Sequence, residues 1–245
     1  MMRMGGQAVW MAGAAGLAML LGACGEAGEA PAAVAPDVVA AMKAVFPEAD
    51  AKGEVPVSGV GDRAARVERP VTVIAGEDGR SYLVTAKEQT EACHACSASI
   101  SVYYLKGSGG SLSVTAKYPD LYESGGWGQA GDISALTLPR EGGIGMTDEN
   151  GFTAQGCTVT QVSVYRFDEA GPKAILDRAP LGMSYEAVDI GGAIIRPFTA
   201  DADFAVNYVG NNSSVPVDTT VTWQMQDGVL VQNSGRVPDA VVAGC

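Results

Sequence analysis

The chain has 245 residues and a net charge of -12, with 16 Lys and Arg against 28 Asp and Glu. Such an acidic chain is not expected to bind nucleic acid, because binding requires a basic surface that displaces counterions from the phosphates. The single histidine excludes histidine-rich metal sites and any mechanism that needs two imidazoles. With 18% charged and 47% hydrophobic residues, the composition is that of a folded protein, neither disordered nor polytopic.

Residues 1–23 are typical of a secretory signal peptide. Arg3 is the only charged residue before Glu26, and an apolar stretch interrupted by glycines runs from Ala8 to Leu21. This stretch is shorter than the roughly 20 apolar residues that a helix needs to cross a bilayer. We therefore expect a cleaved leader rather than a membrane-spanning anchor.

The leader ends in Leu21-Gly22-Ala23-Cys24, which resembles the lipobox of bacterial lipoproteins. Gly22 is a less common choice at its position than Ala or Ser. The resemblance covers residues 1–24 only. It implies that cleavage falls before Cys24, that its thiol carries a diacylglycerol through a thioether, and that its new amino group can be acylated, for instance by palmitate. The alternative is an ordinary signal peptide cut after Ala23, with Cys24 free or in a disulfide.

A lipidated Cys24 would anchor the chain to a membrane of the bacterial cell envelope, since each buried CH₂ contributes ~0.8 kcal/mol. Gly25 follows it instead of Asp, and the resemblance then implies the outer membrane if the cell is Gram-negative, with the domain facing the periplasm or the exterior. Residues 24–36 are rich in Gly, Glu, Ala and Pro and predict a flexible linker.

Residues 37–245 are expected to form one β-rich domain that begins with a short helix at 37–46. Asp37 precedes an apolar face with helical spacing, and Pro47 ends the pattern. The residues of that face are Val38, Val39, Met42, Val45 and Phe46.

After the helix, β-branched and aromatic residues alternate with frequent Gly-rich turns, which is typical of antiparallel sheets. An antiparallel sandwich is favoured, while a barrel-like fold or a small propeller remains open. The predicted strands lie at 71–74, 82–85, 100–105, 112–116, 158–167, 174–176, 193–199, 204–209, 218–225 and 229–232.

Apart from Cys24, four cysteines remain, an even number that predicts two disulfides in an oxidising compartment. Three pairings are possible. We favour a local bond between Cys93 and Cys96 and a second bond between Cys157 and Cys245, which would fix the end of the chain.

The segment Cys93-His94-Ala95-Cys96 has three functional interpretations. A covalent haem site is excluded because His94 lies inside the pair and Ser97 follows it. A zinc site is disfavoured because adjacent Cys and His side chains rarely point to one metal. The segment superficially resembles the redox pairs of the thioredoxin superfamily, but there a helix follows the first cysteine and lowers its pKa, whereas here residues 97–105 alternate like a strand.

The sequence contains no nucleophile elbow, phosphate-binding loop or HExxH helix, so we expect neither catalytic residues nor a cofactor or metal. Acidic pairs such as Asp148-Glu149 and Asp201-Ala-Asp203 are interpreted as solvated turns. Trp223 is expected in the core. Trp127, in a Gly-rich loop, is a candidate contact for a protein or glycan partner. The sequence therefore predicts a non-catalytic binding or structural lipoprotein. The alternative is a periplasmic thiol–disulfide or metal-handling protein.

Overall fold

A computed structural model describes residues 35–58, 65–91, 93–139, 143–196, 198 and 202–245. The predicted signal peptide, Cys24, Gly25 and most of the predicted linker lie outside these residues. Within them, no helix has the length and apolar character that a membrane crossing would require.

The described chain contains two short helices, a 3-10 turn and a long series of strands. The helices are α1 (Val38–Val45) and α2 (Asp239–Ala243), and the 3-10 turn is Gly109–Ser111. The strands are β1 (Val55–Val57), β2 (Arg66–Ala75), β3 (Arg80–Gln89), β4 (Ala98–Lys106), β5 (Ser113–Ser124), β6 (Asp132–Leu138), β7 (Gly143–Ala154), β8 (Cys157–Asp168), β9 (Gly171–Tyr185), β10 (Val188–Ile194), β11 (Phe204–Asn212), β12 (Val215–Gln226) and β13 (Val229–Ser234).

The strands form two antiparallel sheets, and within each sheet every strand pairs with its neighbours in sequence. The first sheet has the order β1-β2-β3-β4-β5, and the second has the order β13-β12-β11-β10-β9-β8-β7-β6. Short turns suffice for such a meander, because antiparallel neighbours meet at the same end. The prediction of a mainly antiparallel β fold with a sandwich-like arrangement is confirmed.

The five-stranded sheet is buried on both faces. Toward the second sheet, Ile100 and Val102 of β4 pack in one cluster with Met146 of β7. On the opposite face, Leu83 and Leu105 pack against α1. Since successive side chains of a strand point to opposite faces, burial on both sides explains why apolar residues follow one another from Val102 to Leu105 of β4.

The eight-stranded sheet curves around a core of its own. Leu136 and Leu138 of β6, at one edge of the sheet, belong to the same buried cluster as Phe204 of β11 and Trp223 of β12. Trp223 is 4% exposed, which confirms its predicted place in the core.

Helix α1 begins where the sequence predicts. The Asp37 carboxylate accepts hydrogen bonds from the Val39 and Ala40 backbone N–H groups at 3.0 and 3.1 Å, which satisfies donors that have no partner inside the helix. Ala41 and Met42 are fully buried, so α1 packs firmly on the domain. A ten-residue segment is marginal as an isolated helix, and this packing stabilises it.

Several strands differ from their predicted bounds. The strands β6 and β7 were not predicted. The segment of β7 is rich in Gly, Asp, Glu and Asn, which disfavour strands, and β6 is short, with buried residues at Ile133, Leu136 and Leu138 that do not alternate strictly. The predicted strand at 193–199 is displaced, since β10 ends at Ile194. Strand β5 continues past Pro119, which an edge strand tolerates because its outer N–H groups need no partner.

Candidate binding site

Two features that are separate in the sequence meet in the fold. The loop from β3 to β4 carries Cys93, His94 and Cys96, and the loop from β5 to β6 carries Trp127. The Gly128 N–H donates to the Cys96 carbonyl oxygen at 2.7 Å, and the Gln89 N–H donates to the Gly128 carbonyl oxygen at 2.9 Å. These two hydrogen bonds hold the loops side by side at one end of the five-stranded sheet.

Cys93 and Cys96 form a disulfide, with Cα atoms 5.2 Å apart. The Cys96 N–H donates to the Cys93 carbonyl oxygen at 3.0 Å, so the four residues make a tight turn. Strand β4 begins at Ala98, as the alternation of this segment predicts. The first cysteine therefore lacks the helix that lowers a thiol pKa in thioredoxin-like proteins.

The second disulfide joins Cys157, the first residue of β8, to Cys245, with Cα atoms 6.1 Å apart. Both favoured pairings are thus present in the structure. Among the described residues, no group of three or more His, Cys, Asp and Glu side chains is placed to hold a metal ion.

Trp127 sits at the tip of a tight turn. The Gln129 N–H donates to the Gly126 carbonyl oxygen at 3.0 Å, and the two residues between have φ angles of 57° and 79°. A turn with two positive φ angles favours Gly or Asn, and a larger residue in this conformation costs roughly 1–2 kcal/mol. The tryptophan occupies this position with 57% of its surface exposed.

Three rings form an exposed group, here called the aromatic site: His94, Trp127 and Phe152. The His94 and Trp127 rings have centroids 4.2 Å apart at 71°, an edge-on contact. Phe152 of β7 lies 5.6 Å from His94 and is 47% exposed. Phe152 could not be identified from the sequence, because its strand carries no clear β pattern.

A groove of about 430 Å³ begins beside the aromatic site. Gly126 and Gly151, which precede Trp127 and Phe152 in sequence, both line it. At Gly192 a Cβ atom would lie 2.4 Å from the Leu181 carbonyl oxygen, so this wall is formed by closely packed backbone. The groove residues are Gly125, Gly126, Ala130, Gly131, Glu149, Asn150, Gly151, Thr160, Leu181, Gly191 and Gly192.

A hydrogen-bond network supports the groove from below. Asp148 is fully buried and accepts from the Ser124 hydroxyl at 2.8 Å and from the Asn150 amide at 3.2 Å. The Gln161 amide donates to the Asn150 oxygen at 2.9 Å. Burial raises the pKa of the Asp148 carboxyl, while the Ser124 and Asn150 donors oppose that shift. The network fixes the orientation of Asn150 at the groove surface.

Glu149 places an acidic side chain in the groove. Glu149 of β7 lies directly opposite Asp132 of β6 in the strand pairing. Burial raises the pKa of Glu149, the nearby Asp132 carboxylate raises it further, and Arg196 lowers it. Two adjacent acids in one strand pair disfavour a negatively charged ligand at this place.

The interpretation of the acidic pairs as solvated turns is wrong for Asp148, Glu149 and Asp203. Asp148 and Glu149 lie in strand β7, and Asp148 is fully buried, with its Oδ2 atom lacking a hydrogen-bond partner among the described residues. Asp203 is 2% exposed and accepts from the Met225 N–H at 2.8 Å. Asp201 lies outside the described residues.

Scans against protein-family models, curated proteins and solved structures each give no match for this chain.

Proposed function

We propose that this protein is a lipid-anchored cell-envelope lipoprotein whose β domain is a non-catalytic module that binds a neutral carbohydrate at the aromatic site. The sequence Leu21-Gly22-Ala23-Cys24 supports the anchor, and the Gly- and Pro-rich residues after it support a tether. Two disulfides in the domain are consistent with an exported protein, because such bonds persist in oxidising compartments.

The binding proposal rests on one observation: Trp127 is exposed, and the ring of His94 packs edge-on against it. Large apolar rings are normally buried, and an exposed group of them beside a groove is typical of a recognition surface. The turn at Gly126–Gln129 holds Trp127 outward in a backbone conformation that a tryptophan does not favour. Such unfavourable conformations concentrate at functional sites.

A carbohydrate fits this surface better than an apolar partner. The flat C–H face of a sugar ring can pack on the indole, and its hydroxyl groups can bond to Glu149, Asn150 and Thr160 in the adjacent groove. The acids at Asp132 and Glu149 disfavour anionic sugars. We therefore expect an uncharged glycan, with a binding site several sugar units long.

The test is a binding panel on the detergent-solubilised full-length protein. Neutral tetrasaccharides of β-linked glucose, α-linked glucose and N-acetylglucosamine are titrated and followed by calorimetry. We expect at least one to bind the wild type, and Trp127→Ala to weaken that binding by at least tenfold, since burying a large apolar side chain contributes about 1.5–3 kcal/mol.

Val229→Ala is the matched control, because Val229 is 40% exposed and lies on β13, at the opposite edge of the eight-stranded sheet from β6. This variant should bind like the wild type. Absence of binding to every tetrasaccharide, or equal loss in both variants, would contradict the proposal.

The alternative is thiol–disulfide exchange at Cys93 and Cys96. It requires a readily reduced bond and a depressed thiol pKa. Equilibration with glutathione buffers, followed by thiol alkylation and mass spectrometry, distinguishes a structural disulfide from a redox-active one. We expect the bond to stay oxidised across the range of a periplasmic or cytosolic glutathione pool, whereas ready exchange would favour the alternative.

A further inference from the structure

A second cavity lies between the two sheets, at the end away from the aromatic site. Its volume is about 550 Å³, within the range of small-molecule sites. Arg80 begins β3 and Lys106 ends β4, whereas the loop that carries His94 joins the other ends of these strands. We call this space the tyrosine cavity, after Tyr82 and Tyr104, which line it together with Phe167.

The walls of the tyrosine cavity are aromatic. Tyr82 and Tyr104 are direct partners across β3 and β4, with ring centroids 4.8 Å apart, and Phe167 of β8 lies 4.5 Å from Tyr82. Tyr104 is 9% exposed, and its hydroxyl is buried without a hydrogen-bond partner among the described residues. A buried hydroxyl without a partner costs free energy, and a polar ligand group in the cavity would compensate that cost.

Two cations stand at the mouth of the same cavity. Arg80 and Lys106 are directly opposite each other in the pairing of β3 with β4, and like charges at such positions destabilise a sheet. Among the described residues Arg80 makes one ion pair, with Glu169, at 3.9 Å from Nη1 to Oε1, and the Glu169 side chain is 90% exposed. Such a contact contributes little, because water screens it.

The other two cations that line the cavity, Arg166 and Lys106, differ in whether an acid neutralises them. The Arg166 guanidinium donates to both oxygens of Asp168, at 2.8 and 3.0 Å, so these two charges already compensate each other. The Lys106 ammonium makes no ion pair with any described residue. Arg80 and Lys106 are therefore the pair of positive charges that remains for a ligand.

We propose that the tyrosine cavity binds a small aromatic carboxylate. The planar ring packs against the wall that Tyr82, Tyr104 and Phe167 form, and the carboxylate lies between Arg80 and Lys106. The proposal does not depend on carbohydrate binding, because the two sites use different residues at different ends of the five-stranded sheet.

The test compares 2-naphthoate with 2-naphthamide, which share the naphthalene ring and differ in charge. Each is titrated calorimetrically into the detergent-solubilised full-length protein, with the heat of a protein-free detergent titration subtracted. We expect one site for 2-naphthoate and binding at least tenfold tighter than that of the amide, because a charge-assisted hydrogen bond adds about that factor.

Arg80→Gln and Lys106→Gln should each weaken 2-naphthoate about tenfold and leave 2-naphthamide nearly unchanged. Tyr104→Phe keeps the ring and should weaken 2-naphthoate about fivefold through the lost hydroxyl. The matched control is Lys117→Gln, because Lys117 pairs with Tyr103 and so lies on the opposite face of the same sheet. Trp127→Ala should also leave 2-naphthoate binding unchanged.

The proposal is overturned if 2-naphthoate does not bind, if the amide binds equally well, or if the Arg80→Gln and Lys106→Gln variants retain wild-type affinity. An equal loss in Lys117→Gln would also overturn it, since the effect would then reflect net charge rather than the cavity. Circular dichroism of each variant confirms that the fold is intact.

Discussion

The ring of His94 packs edge-on against the ring of Trp127, with centroids 4.2 Å apart. This contact joins the disulfide loop to the glycine-rich loop. The Cys93–Cys96 disulfide closes the four-residue turn that carries His94. It therefore restricts the position of the His94 ring against the exposed indole. If the aromatic site binds a glycan as proposed, the disulfide preorganises it for binding.

Replacing both Cys93 and Cys96 by Ser should therefore weaken glycan binding while leaving the fold intact. The closed loop is short, so the bond contributes less to global stability than a long-range one. The expected result is a several-fold weaker dissociation constant in calorimetry, with little change in the urea midpoint. Unchanged glycan affinity in this double variant would show that the disulfide does not support Trp127.

Removal of the Cys157–Cys245 disulfide should have the opposite effects: it should lower global stability and leave glycan binding unchanged. This bond closes a loop with a sequence separation of 88 residues, for which the chain-entropy model gives roughly 3–5 kcal/mol. We expect Cys157→Ser with Cys245→Ser to lower the free energy of unfolding by about this amount in urea titrations. A loss below about 1 kcal/mol would indicate that the end of the chain is held by packing alone.

Glu68 should make stability fall as the pH rises. It is 3% exposed and accepts a hydrogen bond from the Thr85 hydroxyl. Burial raises its pKa above the ordinary value of 4.5, while Thr85 and Lys87 oppose the shift. A raised folded-state pKa means that the protonated form is favoured, so this contribution is complete below pH 4.5 and is lost as the pH rises through the folded pKa.

Glu68→Gln should remove the loss of stability that accompanies ionisation of Glu68. Gln keeps an oxygen acceptor for Thr85 and has no charge to bury, so the variant should gain stability relative to wild type between about pH 4 and 7, by about 1.4 kcal/mol for each unit of raised pKa. Urea unfolding across this pH range measures the difference. Glu123→Gln, at an exposed position of β5, is the control. A difference that does not change with pH would contradict the account.

The anchor is tested by phase partition. Wild-type protein, expressed in a bacterium with its leader, should enter the detergent phase of a cloud-point extraction and gain the mass of its acyl chains. Cys24→Ser should stay in the aqueous phase after export, because its side chain offers no thiol for the diacylglycerol. A Cys24→Ser protein that partitions as the wild type would refute lipidation.

The sequence predicts the fold class and most of the hairpins, because β4, β8 and β12 carry strong apolar or alternating patterns. It also predicts both disulfides. It does not predict β6 and β7, whose stability comes from tertiary contacts such as those of the buried Leu136, Leu138 and Met146. Phe152 and the tyrosine cavity could not be foreseen for the same reason. Each depends on which strands pair and on how the two sheets face each other.

The most direct test of the account is iodide quenching of tryptophan fluorescence, with and without a saturating neutral tetrasaccharide. In protein that lacks the leader, and with it Trp10, the tryptophans are Trp127, which is 57% exposed, and Trp223, which is 4% exposed, so iodide should quench mainly Trp127. The account predicts that the tetrasaccharide protects the wild type from iodide and has no effect on Trp127→Ala. Saturable binding that leaves Trp127 fully accessible to iodide would contradict it.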